Sequence, residues 1–264
     1  MTSHLAICSK NRVLMGAAQY RRSTFSAASR GAGWVLAVLC LLGIDLPAAE
    51  VAGRIELRDS SVASTVRRGD YSGVVVSLQA VGQPVPAPAT RVTLAQRNKT
   101  FLPHVLPVQA GSKVDFPNSD PIFHNAFSSY SGQVFDVGLY PPGATRSVQF
   151  NRPGVVRVFC NIHPAMSAVI LVLGTPWFTT TLRDGSFRLD VPAGTYDLAV
   201  FHERATAQTL QQLGQRIVVG AEGARVPNIG VSEAGYLLAP HNNKFGREYS
   251  PEPDDKVFYP GVRK

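Results

Sequence analysis

The chain has 264 residues, 45% of them hydrophobic and 17% charged, which allows one or two domains with a real core. Glycine (23) and proline (19) are plentiful, a mixture that reads as short strands and turns and excludes a helical bundle or a disordered chain. The formal charge of +8 does not mark a nucleic-acid binder. Residues 1–49 hold five basic residues and one acid, and the remaining 21 basic and 17 acidic residues are interspersed. No Lys/Arg cluster is interleaved with aromatics in the pattern that nucleic acid requires.

The N-terminus reads as an export signal. Arg21, Arg22 and Arg30 precede an apolar run over residues 34–44, and Leu46-Pro47-Ala48-Ala49 follows. That is the basic, apolar, small-residue order of a secretory segment. The run is shorter than the roughly 20 residues that span a bilayer. Met15 offers a second start that would give a shorter signal, and an uncleaved anchor is the alternative reading. Cys40 follows the bulky Leu39 and is a poor lipid-attachment site. The expectation is a periplasmic protein with residues 1–49 removed and no membrane span left.

From residue 50 onward, period-two alternation dominates, and the one candidate helical stretch lies around residues 205–213. Strands are expected over 51–57 and 73–81. A Pro/Ala-rich linker follows at 83–89. A second group of strands is expected over 91–95, 105–108, 112–116, 125–128, 147–150, 155–160 and 168–173. After Gly174-Thr175-Pro176 the character changes. Asp184-Gly185 separates strands at 178–182 and 187–189, a hairpin signal. Strands at 196–202, 216–219 and 226–231 could close a sheet. The tail 236–264 is polar and is expected to be extended. Overall the pattern is all-β.

Chemistry concentrates in Phe159-Cys160-Asn161-Ile162-His163-Pro164-Ala165-Met166, with spacing C-x2-H-x2-M. A second imidazole, His124, lies 36 residues before the cysteine. Cys8 and Cys40 fall in the signal, and so do Met1 and Met15. The exported part therefore keeps one cysteine and one methionine, Cys160 and Met166, within seven residues of each other. It has no internal disulfide, and a lone exported thiol invites oxidation unless something protects it. Metal ligation would do so. Two imidazoles, a thiolate and a thioether are the donors of a blue, type 1 copper centre. Zinc competes for Cys and His donors, but the thioether argues for copper. A single cysteine argues against a binuclear copper centre. His104 is the best spare imidazole and reads as structural, as do His202 and His241. Arg68-Gly69-Asp70 needs no role beyond a turn. Asn98-Lys99-Thr100 is a glycosylation sequon that matters only in a eukaryote. There is no phosphate-binding glycine loop, no nucleophile elbow and no defensible pair of catalytic carboxylates, so an enzyme is not expected.

The ligand loop, the run Val114-Asp115-Phe116-Pro117-Asn118-Ser119-Asp120 leading to His124-Asn125, and Gly154-Val155-Val156-Arg157-Val158-Phe159-Cys160 resemble the cupredoxins of the plastocyanin and amicyanin type. The resemblance covers roughly residues 91–174, about a third of the chain. It implies a Greek-key sandwich and one type 1 copper ion. It makes His124, Cys160 and His163 equatorial ligands and Met166 the axial one. It makes Asn125 a second-layer residue tying the ligand loop to the upstream strand. Asn161 departs from the Ser or Thr often found after the cysteine, so the clamp there differs. The resemblance also implies electron transfer with partner proteins, leaving through the edge of His163 near Ile162, Pro164 and Ala165.

Residues 179–231 resemble the carboxypeptidase regulatory-like, transthyretin-type sandwich, notably Asp184-Gly185-Ser186-Phe187 and Pro192-Ala193-Gly194-Thr195-Tyr196. The whole layout resembles exported methylamine utilization proteins that combine such a module with a cupredoxin. The expected division is a signal peptide (1–49), the first strands of the accessory sandwich and a linker (50–90), the cupredoxin (91–174), the rest of the sandwich (175–235) and a tail (236–264). The cupredoxin is thus expected to be inserted into the sandwich. A copper-delivery protein, or a binding module with a structural metal, are the rival readings.

Overall fold

The structure is a computed structural model, and it describes residues 48–82, 90–129, 132–236 and 241–249. By internal contacts the chain falls into Met1–Asp45 and Leu46–Lys264. Residues 1–47 of the expected signal and the Pro/Ala linker lie outside the described residues, while Ala49, the last residue of that expected signal, opens a strand. Among those residues, no helix is long and apolar enough to cross a membrane.

Strands follow from alternation and from β-branched content. The first is β1 (Ala49–Arg58), followed by a short helix α1 (Ala63–Arg68) and by β2 (Val75–Ala80). Helix α1 is absent from the sequence reading. It ends at Gly69 in the left-handed conformation, whose N–H closes on the Ser64 and Thr65 carbonyls. Strand β14 (Ser186–Val191) pairs antiparallel with β1, while β17 (Ala224–Arg225) and β18 (Ile229–Ser232) pair parallel with it. A second sheet has the order β13 (Phe178–Thr180), β2, β15 (Gly194–Phe201), β16 (Gln215–Val219). In β15 the alternate residues Tyr196, Leu198 and Val200 are buried. They join Val51, Ile55, Val76, Leu78 and Phe187 in one apolar core. The expected helix near 205–213 is α2 (Ala207–Gln212), capped by the Thr206 hydroxyl accepting the Thr209 N–H.

The middle of the chain builds another core. Strands β10 (Thr145–Phe150), β7 (Ser112–Pro117) and β3 (Arg91–Thr93) form one sheet. The other has the order β6 (Val105–Gln109), β12 (Ser167–Leu173), β11 (Gly154–Phe159), β8 (Phe127–Ser128), β9 (Phe135–Asp136). A tight hairpin joins β4 (Ala95–Arg97) to β5 (Thr100–Leu102). Val114, Phe116, Phe150, Val156, Val158 and Ile170 meet between these sheets, and Cys160 and Met166 belong to the same cluster. The all-β expectation is met.

The chain leaving β12 is stitched to β2, a strand of the first core. Strand β2 pairs with β15 from Tyr196↔Ala80 to Phe201↔Val75. Where the chain leaves β12, the Thr175 hydroxyl donates to the Leu78 carbonyl at 2.6 Å and the Trp177 carbonyl accepts the Leu78 N–H at 2.9 Å. The Asp184-Gly185 turn is as tight as its sequence implies. Gly185 has φ +84°, and a Cβ there would lie 2.0 Å from the Ile55 carbonyl oxygen.

A second stitch is ionic. His104 Nε2 lies 2.8 Å from the Glu203 carboxylate, and Nδ1 lies 3.1 Å from the Ser167 carbonyl oxygen. Glu203 raises the His104 pKa against the opposing effect of partial burial. Burial works to raise the Glu203 pKa, but His104 and Arg204 outweigh it and the net shift is downward. A raised histidine stabilises fully below its unfolded pKa of about 6.5, and a lowered glutamate does so above about 4.3. We therefore expect this bridge to contribute most between about pH 4.3 and 6.5 and to be lost as pH rises through the folded pKa of His104. Denaturant unfolding across pH should show that decline in the wild type and a flatter profile in His104→Gln. With His104 about half exposed, the pair should have a modest effect.

Candidate metal centre

The ligand loop is a closed turn. The Cys160 N–H donates to the Met166 carbonyl at 3.1 Å and the Met166 N–H to the His163 carbonyl at 3.0 Å. Because residues 160 and 166 are locked together at the ends of β11 and β12, the C-x2-H-x2-M spacing folds back on itself. Cys160 Sγ then lies 3.6 Å from His163 Nδ1 and 3.8 Å from His124 Nδ1. The three donor atoms fall within 4.8 Å of one another, and all three residues are buried. The imidazoles meet edge to face, with centroids 4.9 Å apart. Met166 is fully buried in the same apolar cluster as Cys160.

His124 is aimed by the fold. It sits opposite Tyr140, exchanging two backbone hydrogen bonds with it at 2.9 and 3.2 Å. Asn118 shapes the preceding turn by donating to the Ile122 carbonyl and accepting the Asp120 N–H. Asp120 Oδ2 then lies 2.7 Å from His124 Nε2. With Nε2 engaged, Nδ1 is the nitrogen left facing the thiol. Burial lowers the His124 pKa although Asp120 works to raise it, which favours the neutral imidazole that a metal needs. Burial alone would raise the Asp120 pKa. The Lys99 N–H, His124 and the Asn98 N–H together lower it, so it stays a carboxylate. Those two amides come from the β4–β5 turn, where Asn98 and Lys99 both have positive φ. The sequence reading missed Asp120 as a site residue. Its signal was a carboxylate four residues before a candidate ligand histidine.

The Asn125 side-chain oxygen accepts the Asn161 N–H, tying the loop of Cys160 to the segment after His124. The Asn125 carbonyl accepts from buried Gln96 at 3.1 Å. Asn161 has its own partner, because its side-chain oxygen accepts the Lys244 N–H at 2.9 Å. The expected apolar exit differs in one respect. Ile162 and Pro164 are half-buried and Ala165 is exposed, but the His163 ring itself is buried. Among the described residues, the cluster takes in His124 and His163 but not His104, His202 or His241.

The donor set fits a first-row metal ion. Bonds of about 2.0 Å to nitrogen and about 2.3 Å to sulfur place N and S about 3.7 Å apart in a trigonal plane. The observed edges of 3.6 and 3.8 Å match that requirement without rearrangement. Two imidazoles and one thiol beside a buried thioether favour copper over zinc. An all-β sandwich with such a centre at the end of its strand β11 defines the class, a cupredoxin-like protein.

No family model matches the chain. Amicyanin-alpha of Methylorubrum extorquens is 36% identical over 99 residues, covering 36% of this chain and 81% of that protein. By that match the chain belongs to the amicyanin family of cupredoxins, and copper is the cofactor the family and the donors imply. Among solved structures, amicyanin from Paracoccus versutus aligns over 37% of this chain and 98% of its own, at 22% identity and a TM-score of 0.30. A copper-containing nitrite reductase from Thermus scotoductus SA-01 aligns at 27% identity and a TM-score of 0.31. That alignment covers 36% of this chain and only 25% of the reductase.

Asp120 generates a test. Groups that hydrogen-bond a ligand histidine typically hold a 10–100-fold share of metal affinity. Asp120→Ala should weaken copper binding by about that factor in a competition titration with a chelator. Asp120→Asn, which keeps a partner for Nε2, should lose less.

Proposed function

We propose that the protein is an exported, periplasmic carrier of single electrons with one type 1 copper ion ligated by His124, Cys160, His163 and Met166. The convergence of three buried donors within 4.8 Å carries this reading. Copper, when bound, supplies the Cu(I)/Cu(II) couple. The residues supply a donor set that suits neither oxidation state fully, and they hold it rigidly, so little rearrangement accompanies electron transfer. Asp120 and Asn125 fix His124 and the ligand loop from opposite sides. With Met166 as a fourth ligand, no position would be kept open for a substrate, which favours a carrier over an enzyme. The partners are donor and acceptor proteins of opposite redox role, and methylamine metabolism is the setting that the resemblance of the overall layout suggests.

The organisation belongs to the same proposal. Residues 91–174 form the copper module, inserted into an accessory sandwich built from 50–90 and 175–235, after a signal at 1–49 and before a tail at 236–264. The pairing of β2 with β15, and of β1 with β14, supports that division. Thr175 and Leu78 bring the outgoing chain back beside the strand that precedes the linker. Insertions are tolerated where the two ends lie close together.

Burial of the His163 ring favours a second reading, a protein that holds and delivers copper without rapid electron exchange. Adding Cu(II) to the purified protein should produce an intense blue absorption band with narrow copper hyperfine splitting, and Cys160→Ser should abolish both. A colourless, zinc-loaded protein would refute the type 1 assignment. Fast electron self-exchange by line broadening supports the carrier, whereas a blue but slowly exchanging protein supports delivery.

A further inference from the structure

The tail was expected to be extended, but residues 241–249 are folded against the ligand loop. Asn243 organises them: its N–H donates to the Arg247 carbonyl at 2.9 Å, and its carbonyl accepts the Gly246 N–H at 2.9 Å. Three consecutive residues of the loop are each engaged from this segment. The His241 ring stacks on Phe159, with centroids 3.9 Å apart and planes 21° from parallel. The Tyr249 hydroxyl donates to the Cys160 carbonyl at 2.9 Å. The Lys244 N–H donates to the Asn161 side chain at 2.9 Å. His241 also packs edge to face on Tyr249, so the two anchors support each other.

These contacts close a ring. The Asn161 N–H donates to the Asn125 side-chain oxygen, and the Asn125 amide donates to Asp136 at 3.3 Å. Lys244 Nζ reaches the other Asp136 oxygen at 2.8 Å, and the Lys244 N–H returns to Asn161. Four residues from four segments are thus joined: Asn125 after His124, Asp136 on β9, Asn161 in the ligand loop and Lys244 in the tail. Asn161 has a length suited to this, because its side-chain oxygen reaches the tail while its backbone reaches Asn125.

We infer that residues 241–249 are an intramolecular strap that holds the copper-ligand loop shut, with His241, Lys244 and Tyr249 as positioning residues that set thiol access, copper retention and reduction potential. The inference rests on the copper reading for its last two consequences, but not for the first. Without the strap the loop opens more often. Water then reaches Cys160 and favours the more highly charged Cu(II), so the potential falls.

The test uses the full chain carrying Tyr249→Phe, Lys244→Ala, and the double variant His241→Ala/Tyr249→Phe. In the metal-free protein, the rate at which a thiol reagent modifies Cys160 should rise a few-fold in each single variant and about tenfold in the double. In copper-loaded protein the blue band should persist, with a lower potential and faster copper loss to a chelator. A remote core variant, Leu78→Ala, should lower global stability without raising thiol reactivity to the same degree under native conditions. Unchanged thiol reactivity and an unchanged potential in the double variant would overturn the strap. A wild-type protein that never turns blue refutes the copper reading instead, and the thiol rates still decide whether the strap exists.

Discussion

Everything at this candidate centre depends on burying three potential donor atoms, of His124, Cys160 and His163, close together beside an apolar core. A polar atom taken out of water needs a partner. At His124 that requirement selects the ligating atom, because Asp120 takes Nε2 and leaves Nδ1 to the thiol. Asp120 in turn is kept charged there by two amides of the β4–β5 turn together with His124. The positive φ at Asn98 and Lys99 is the local cost of pointing both amides the same way. A hairpin remote in sequence from the ligand loop therefore decides which nitrogen of His124 is available.

The same requirement explains why the loop is short. Closing residue 160 onto residue 166 satisfies backbone groups that would otherwise be stranded beside the apolar cluster. Two donor-to-donor edges are thus close to those of a trigonal site, a spacing that would limit rearrangement on loading with a metal ion.

How much of this was legible follows from what the sequence repeats and what it does not. The ligand set stood out because Cys160 and Met166 have no competitors after residue 49. Strands such as β7 and β15 stood out because alternate residues are apolar. Asn125 was legible only through resemblance. Asp120 was not, since it is one acid among many and its role lies in a turn four residues from its target. Helix α1 buries only Thr65, so its residues carry no apolar period to read. The folded tail left no trace because its contacts are single atoms and one ring face, which carry no periodicity.

Asn161 draws these strands of argument together. Read by itself it was a departure from the usual Ser or Thr, and it put the clamp beside the cysteine in doubt. In the fold, its backbone makes the tie to Asn125 that the resemblance implied, while its side chain points away from that tie and reaches Lys244. A Ser or Thr hydroxyl is shorter and could not span to a second segment from the same backbone position. The substitution and the tail contact thus account for each other. A longer polar side chain after the cysteine is what a cupredoxin loop needs if a segment near the end of the chain is to grip it. That places the chain's last described residues, and not only its copper module, in control of the centre.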